Sequence, residues 1–215
     1  MTNRLVAWLV LVAAYTALAY GGRASGGNPP DDLLYRYSTA LGALVQYAIT
    51  LAIVLWIARG PSQRQLLGLR RPASWSRAAG SALLVIVLIY ALTAAADPFL
   101  HAGEEQGLTP NGWDSSRTSA YAANFVVIAL VAPVVEELMF RGAGYSLLLP
   151  FGAAAAVLGT GVAFGLVHGL VYGFIILTVF GISLAWLRRR TQSVYPCIAV
   201  HSLFNAIALV WAVTA

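Results

Sequence analysis

Seven stretches of nearly uninterrupted apolar residues run along the chain, at 5–20, 40–58, 78–96, 119–149, 151–170, 172–187 and 194–214. Short polar gaps separate them. A helix needs about 20 such residues to cross the hydrocarbon core of a bilayer, so the pattern predicts an all-α membrane protein, a polytopic bundle of seven transmembrane helices. Arg4 precedes the first run, and Ala17-Leu18-Ala19 near its end resembles a signal-peptidase site. That run is long for a leader and its basic lead is thin, so a retained helix is expected. The fourth run carries Glu136-Glu137 and passes Arg141 before Pro150, its first strong stop.

Composition supports this reading. Of the 215 residues, 60% are apolar or aromatic and 10% are charged, against about 45–50% and about 25% in an ordinary globular domain. A soluble fold of this length cannot hide that much apolar surface. All 13 basic residues are arginine, set against 8 acids, for a net charge of +5. All but Arg141 lie outside the spans, in short gaps and not on a solvated basic face, which argues against nucleic-acid binding. The gap 59–77 holds five arginines and no acid, and Arg188-Arg189-Arg190 separates the last two runs. The gap 97–117 instead holds Asp97, Glu104, Glu105 and Asp114 against one arginine. The positive-inside rule then places the N-terminus in the cytoplasm and the C-terminus outside. The expectation is a multi-pass protein of the plasma membrane, and the all-arginine, alanine-rich composition points to a prokaryotic genome. Cys197 stands alone, which excludes an intrachain disulfide and reads as a small hydrophobe within a helix.

Ionisable groups inside membrane helices are costly and are functional candidates by default. Three clusters qualify, all in the C-terminal half: Glu136-Glu137 with Arg141, Phe164 with His168, and His201 with Asn205. Glu137 and Arg141 are four residues apart and can form an ion pair on one helix face. Glu136 is turned about 100° away and is free to point into the bundle. His201 and Asn205 share a face of the last helix by the same spacing. Gly159, Gly161, Gly165 and Gly169 surround His168 and permit close helix approach. His101 reads as a solvated loop residue and Gln46 as packing glue. Residues 1–118 hold the first three spans and 119–215 the chemistry-bearing ones, within one integrated membrane domain.

In order, these strings read Glu-Glu-x-x-x-Arg, Phe-x-x-x-His and His-x-x-x-Asn. From Tyr121 onward the sequence resembles the CAAX protease and bacteriocin-processing family of intramembrane proteases, also called the Abi or Rce1-like family. The resemblance implies an endopeptidase that hydrolyses peptide bonds of membrane-associated or C-terminal substrates within a buried polar cavity. It assigns Glu136 and His168 to activation of the attacking water, and His201 and Asn205 to an oxyanion hole. Glu137, Arg141 and Phe164 become supporting residues. No cofactor is favoured, and the expected partners are a peptide or protein substrate and the lipid bilayer.

Two other readings stay open at this level. Glu136, His168 and His201 are a donor set that could hold Zn²⁺ with one position left open, although the sequence has no His-Glu-x-x-His. A non-enzymatic immunity factor or transporter subunit would use the same groups as a proton relay. The depths of Glu136, His168 and His201 do not coincide on straight helices, so tilt or a re-entrant break between Gly142 and Pro150 is expected to bring them together.

Overall fold

The computed structural model describes residues 2–26, 30–100, 105, 108, 110 and 112–214. His101, Glu104 and the side chain of Asp97 lie outside the described residues. Helix α1 spans Thr2–Ser25, α2 Tyr37–Ala58, the single turn α3 Gln63–Leu66, and α4 Trp75–Leu100. A long composite helix, α5, covers 118–148. It is followed by α6 at Ala153–Val167, α7 at Phe174–Thr191 and α8 at Tyr195–Thr214. No strand occurs among the described residues.

Among the described residues, five segments are long and apolar enough to cross a membrane: Asn3–Ser25, Tyr37–Ala58, Trp75–Ala96, Ser115–Phe151 and Tyr195–Thr214. The two remaining expected spans correspond to α6 and α7. Helix α6 has 15 residues, about 22 Å of helix, which is short of the roughly 30 Å hydrocarbon thickness. Helix α7 has 18 residues and ends in three arginines. The two form a tight antiparallel pair because glycines stand where they touch. A Cβ on Gly181 would lie 2.8 Å from the carbonyl oxygen of Gly161, so only hydrogen fits at this crossing.

Helix α5 runs without a break from 118 to 148, so the expected re-entrant break near Gly142–Pro150 is absent. Two π-helical stretches, Val127–Val131 and Leu138–Gly144, interrupt its α geometry instead. The first has a readable cause. Pro133 has no N–H and its ring crowds the preceding turn, and a wider π turn before it relieves that crowding. Helix α5 is largely buried, and α1, α2, α6, α7 and α8 pack around it, while α4 packs on α7 and α8.

One apolar core joins residues from both halves of the chain, including Trp8, Val54, Ile89, Phe140, Phe164, Leu184 and Val200. Helix α1 is a full part of it. Trp8 is 2% exposed, and its indole N–H donates to the carbonyl of Met139 at 3.0 Å. Tyr20 donates to the carbonyl of Leu170 at 3.0 Å. Cys197 is fully buried, with its thiol against the carbonyl of Leu184, as expected for a packing residue.

Candidate active site

The site is assembled on α5, α7 and α8 around one carboxylate. Glu137 and Arg141 are both 0% exposed, and Arg141 donates to Glu137 Oε1 at 2.7 Å. The same Oε1 accepts from His201 Nδ1 at 2.9 Å. A second guanidinium nitrogen of Arg141 donates to the carbonyl of Gly181 on α7 at 2.9 Å. Glu137 therefore ties α5 to α8, and Arg141 ties α5 to α7. The expected i, i+4 ion pair is present, and it also orients the histidine.

Glu136 points the other way, as its 100° offset requires. Its Oε2 lies 3.9 Å from His201 Nε2, so the imidazole stands between the two adjacent glutamates. Its Oε1 accepts a 2.6 Å hydrogen bond from Tyr47 on α2, so it is not the unpartnered carboxylate that spacing alone suggested. Tyr47 carried no sequence signal. It sits in an apolar helix where a tyrosine reads as interfacial or packing, and its partner lies 89 positions away. The neighbouring Gln46, singled out as polar, has an exposed side chain; only its backbone carbonyl is engaged, by Thr50.

Phe164 fills the space between the polar groups. The Arg141 guanidinium carbon lies 4.6 Å from its ring centre. The rings of His168 and His201 lie 4.6 and 5.6 Å from it. Phe180 closes the other side of His201 at 5.2 Å, edge to face. These aromatic walls lower the local dielectric and strengthen each charged contact.

His168 occupies the C-terminal end of α6. Its Nδ1 donates to the carbonyl of Phe164 at 2.7 Å. A carbonyl only accepts, so Nδ1 carries the proton and neutral His168 presents an Nε2 lone pair. His168 lines an open cavity of about 320 Å³ together with Arg23, Glu105 and Gly169. Phe164 packs against both His168 and His201. Among the described residues, no three His, Cys, Asp or Glu side chains stand close enough to hold a metal ion.

Asn205 lies one turn beyond His201 and donates from Nδ2 to the carbonyl of Ile128 at 2.9 Å. In a π turn that carbonyl would take the N–H five residues on, and that residue is Pro133, which has none. Asn205 thus satisfies an acceptor that proline leaves open, and its second amide hydrogen is left for other use. The second π stretch is supported in the same way. Met139 O accepts from Trp8, and Arg141 O accepts from Arg188 Nε at 3.0 Å.

The two glutamates differ in what their loss should cost. Glu137→Gln leaves the Arg141 guanidinium buried without a counter-charge and is expected to lower the unfolding free energy by about 3–5 kcal/mol. Glu136→Gln keeps shape and hydrogen-bonding capacity at a partly accessible position and should change it by less than about 1 kcal/mol. Equilibrium unfolding of the two variants in the same detergent micelle checks this order.

Comparison with known families gives one match. The family model described as Rce1-like, type II CAAX prenyl endopeptidase Rce1-like, fits residues 118–207. No curated protein and no solved structure matches the chain. The matched segment begins at the first residue of α5 and ends two residues past Asn205. It takes in Glu136, Glu137, Arg141, Phe164, His168, His201 and Asn205, while Tyr47 and Trp8 lie outside it. The match takes in 90 of the 215 residues and over this segment supports the Rce1-like, CAAX protease and bacteriocin-processing family of endopeptidases.

Proposed function

We propose that the protein hydrolyses peptide bonds of membrane-associated substrates by direct attack of a water that Glu136 activates. The observation that carries this reading is the division of labour between the adjacent glutamates. Glu137 is consumed by Arg141 and His201, whereas Glu136 is held only by Tyr47 and faces His201 Nε2 across 3.9 Å. A carboxylate placed in that way can take a proton from water as the oxygen attacks the carbonyl carbon. The new C–O bond turns the carbonyl into an oxyanion. When the C–N bond breaks, the proton on Glu136 goes to the leaving amine.

His201 and the second N–H of Asn205 are assigned to the oxyanion. Its Nδ1 proton is committed to Glu137, so His201 donates from Nε2 only as an imidazolium. With that charge the four groups Glu136, Glu137, Arg141 and His201 sum to zero, which suits a low-dielectric setting. Donors fixed before the reaction stabilise developing charge without reorganisation. His168, with its Nε2 lone pair beside an open cavity, is assigned to relaying protons to and from the attacking water. The hydrolytic water is expected to reach the site through that cavity, since hydrolysis requires water to enter the bilayer interior.

The metal-free form is proposed over the zinc form because, among the described residues, no three His, Cys, Asp or Glu side chains converge closely enough to hold an ion. The Nδ1–H of His201 on Glu137 would also suit a metal ligand, so a direct test is required. Exhaustive chelation of the purified protein should leave most of the activity; loss of activity with one zinc per chain, restored by adding zinc back, would decide for the metal.

The proposed orientation has the N-terminus and the Arg59–Arg77 segment cytoplasmic, in a seven-span prokaryotic plasma-membrane protein. Turnover on a membrane-inserted peptide tests the chemistry. Glu136→Gln should abolish it in a folded protein. Tyr47→Phe should lower kcat about tenfold or more with KM little changed, as for loss of one hydrogen bond to a charged group. Full activity of Glu136→Gln would end this assignment.

A further inference from the structure

The two ends of the bundle treat their arginines in opposite ways. At the end where α1 finishes and α2 begins, every described arginine has a carboxylate. Arg23 pairs with Glu105, Arg36 with Asp32, and Arg117 with both Asp32 and Asp114, all at 2.6–2.9 Å. The bonds from Ser116 and Arg117 hold the Asp114 carboxyl at about 2, so this network stays charged and paired at neutral pH.

At the other end the chain places Arg4, the five arginines of 59–77 and Arg188–Arg190. Among the described residues none of these nine forms an ion pair, and no acidic residue lies on that end. The fold nonetheless gathers them. Arg4 donates to the carbonyl of Arg59 at 2.6 Å. Arg70 bonds Gln192 through two nitrogens, and Val194 N donates to the carbonyl of Gly68 at 3.0 Å. Together these contacts draw the 59–77 segment onto the ends of α1, α7 and α8. Like charges brought together without a counter-ion repel one another.

From this asymmetry we infer that the arginine-rich end binds anionic phospholipid headgroups, whose phosphate diesters supply the missing negative charge. The setting selects a lipid over a soluble polyanion. The arginines cap the ends of apolar helices, and the exposed side chains of Trp56 and Trp75 (55% and 58%) stand beside them where aromatic residues mark a membrane interface. Arg59 lies 5.0 Å over the Trp56 ring, and Arg190 lies 5.6 Å over Trp186. Arg64, Arg71 and Arg77 are exposed and have no polar side-chain contact within the described protein. They are the groups most open to headgroups. Each arginine near an anionic surface adds to the attraction, and the effect is screened by salt. This inference does not depend on the protease reading.

The test compares the full chain in nanodiscs of phosphatidylcholine alone with discs that also contain phosphatidylglycerol, at low salt. Tm should rise by about 5 °C in the anionic discs, and the gain should shrink as salt is added. The variant Arg64→Gln/Arg71→Gln/Arg77→Gln should match wild type in neutral discs and lose at least half of the gain. An equal Tm in the two lipids would overturn the inference, as would a variant that keeps the whole gain. If inorganic phosphate added to neutral discs reproduces the gain, the site takes a free anion and the lipid assignment fails. The wild-type comparison stands alone if the triple variant does not fold.

Discussion

A single buried oxygen, Glu137 Oε1, organises this protein. It accepts from Arg141 on its own helix and from His201 on α8, in a place closed to water. Removing two charges from water costs several kcal/mol per ion, which their attraction offsets only with good geometry and further hydrogen bonds. The second Arg141 bond, to the Gly181 carbonyl, helps meet that condition. Gly181 also lies at the α6–α7 crossing, where a Cβ would come within 2.8 Å of the Gly161 carbonyl oxygen. Charge, helix crossing and histidine orientation are therefore one constraint. Glu136 stands outside it, bonded instead to Tyr47 on α2.

The π turns of α5 extend this logic to the backbone. A wider turn shifts side-chain positions relative to a regular helix and leaves carbonyls to be satisfied elsewhere. Here the partners come from distant parts of the chain: Asn205 for Ile128, Trp8 for Met139 and Arg188 for Arg141. The turn that carries Arg141 is held by α1 on one side and α7 on the other. Gly142 and Gly144 let the neighbours come this close. A Cβ on Gly142 would sit 3.0 Å from the Leu67 carbonyl oxygen, and one on Gly144 would strike the Trp8 ring. The first two helices thus take part in the site through Trp8 and Tyr47, although the family match lies wholly beyond them.

Much of this was legible in the sequence because membrane helices penalise polar groups so strongly. The spacing of Glu137 to Arg141 placed an ion pair correctly, and the 100° offset correctly separated Glu136 from it. The contacts that were not legible are those made by residues with an ordinary reason to be where they are. Tyr47 and Trp8 sit in apolar helices as unremarked aromatics, and their chemistry depends on what lies opposite. The depth mismatch among Glu136, His168 and His201 was a real signal. Of the two expected routes, tilt or a break, the break is absent: α5 stays continuous through two π stretches, Glu136 faces His201, and α6 ends at His168 beside an open cavity. Arg188 was read only as a topology signal in a triplet, yet it is buried and bonded to the Arg141 carbonyl, while Arg189 and Arg190 remain exposed.

The central claim is that Glu136 passes protons and never bonds to the substrate. A single turnover in ¹⁸O-labelled water, with excess enzyme and mass analysis of both product and protein, addresses it directly. Direct attack by water predicts one ¹⁸O in the new carboxylate of the peptide and none in Glu136. Label found in the Glu136 carboxylate would show that this residue had attacked the carbonyl itself, and would contradict the account.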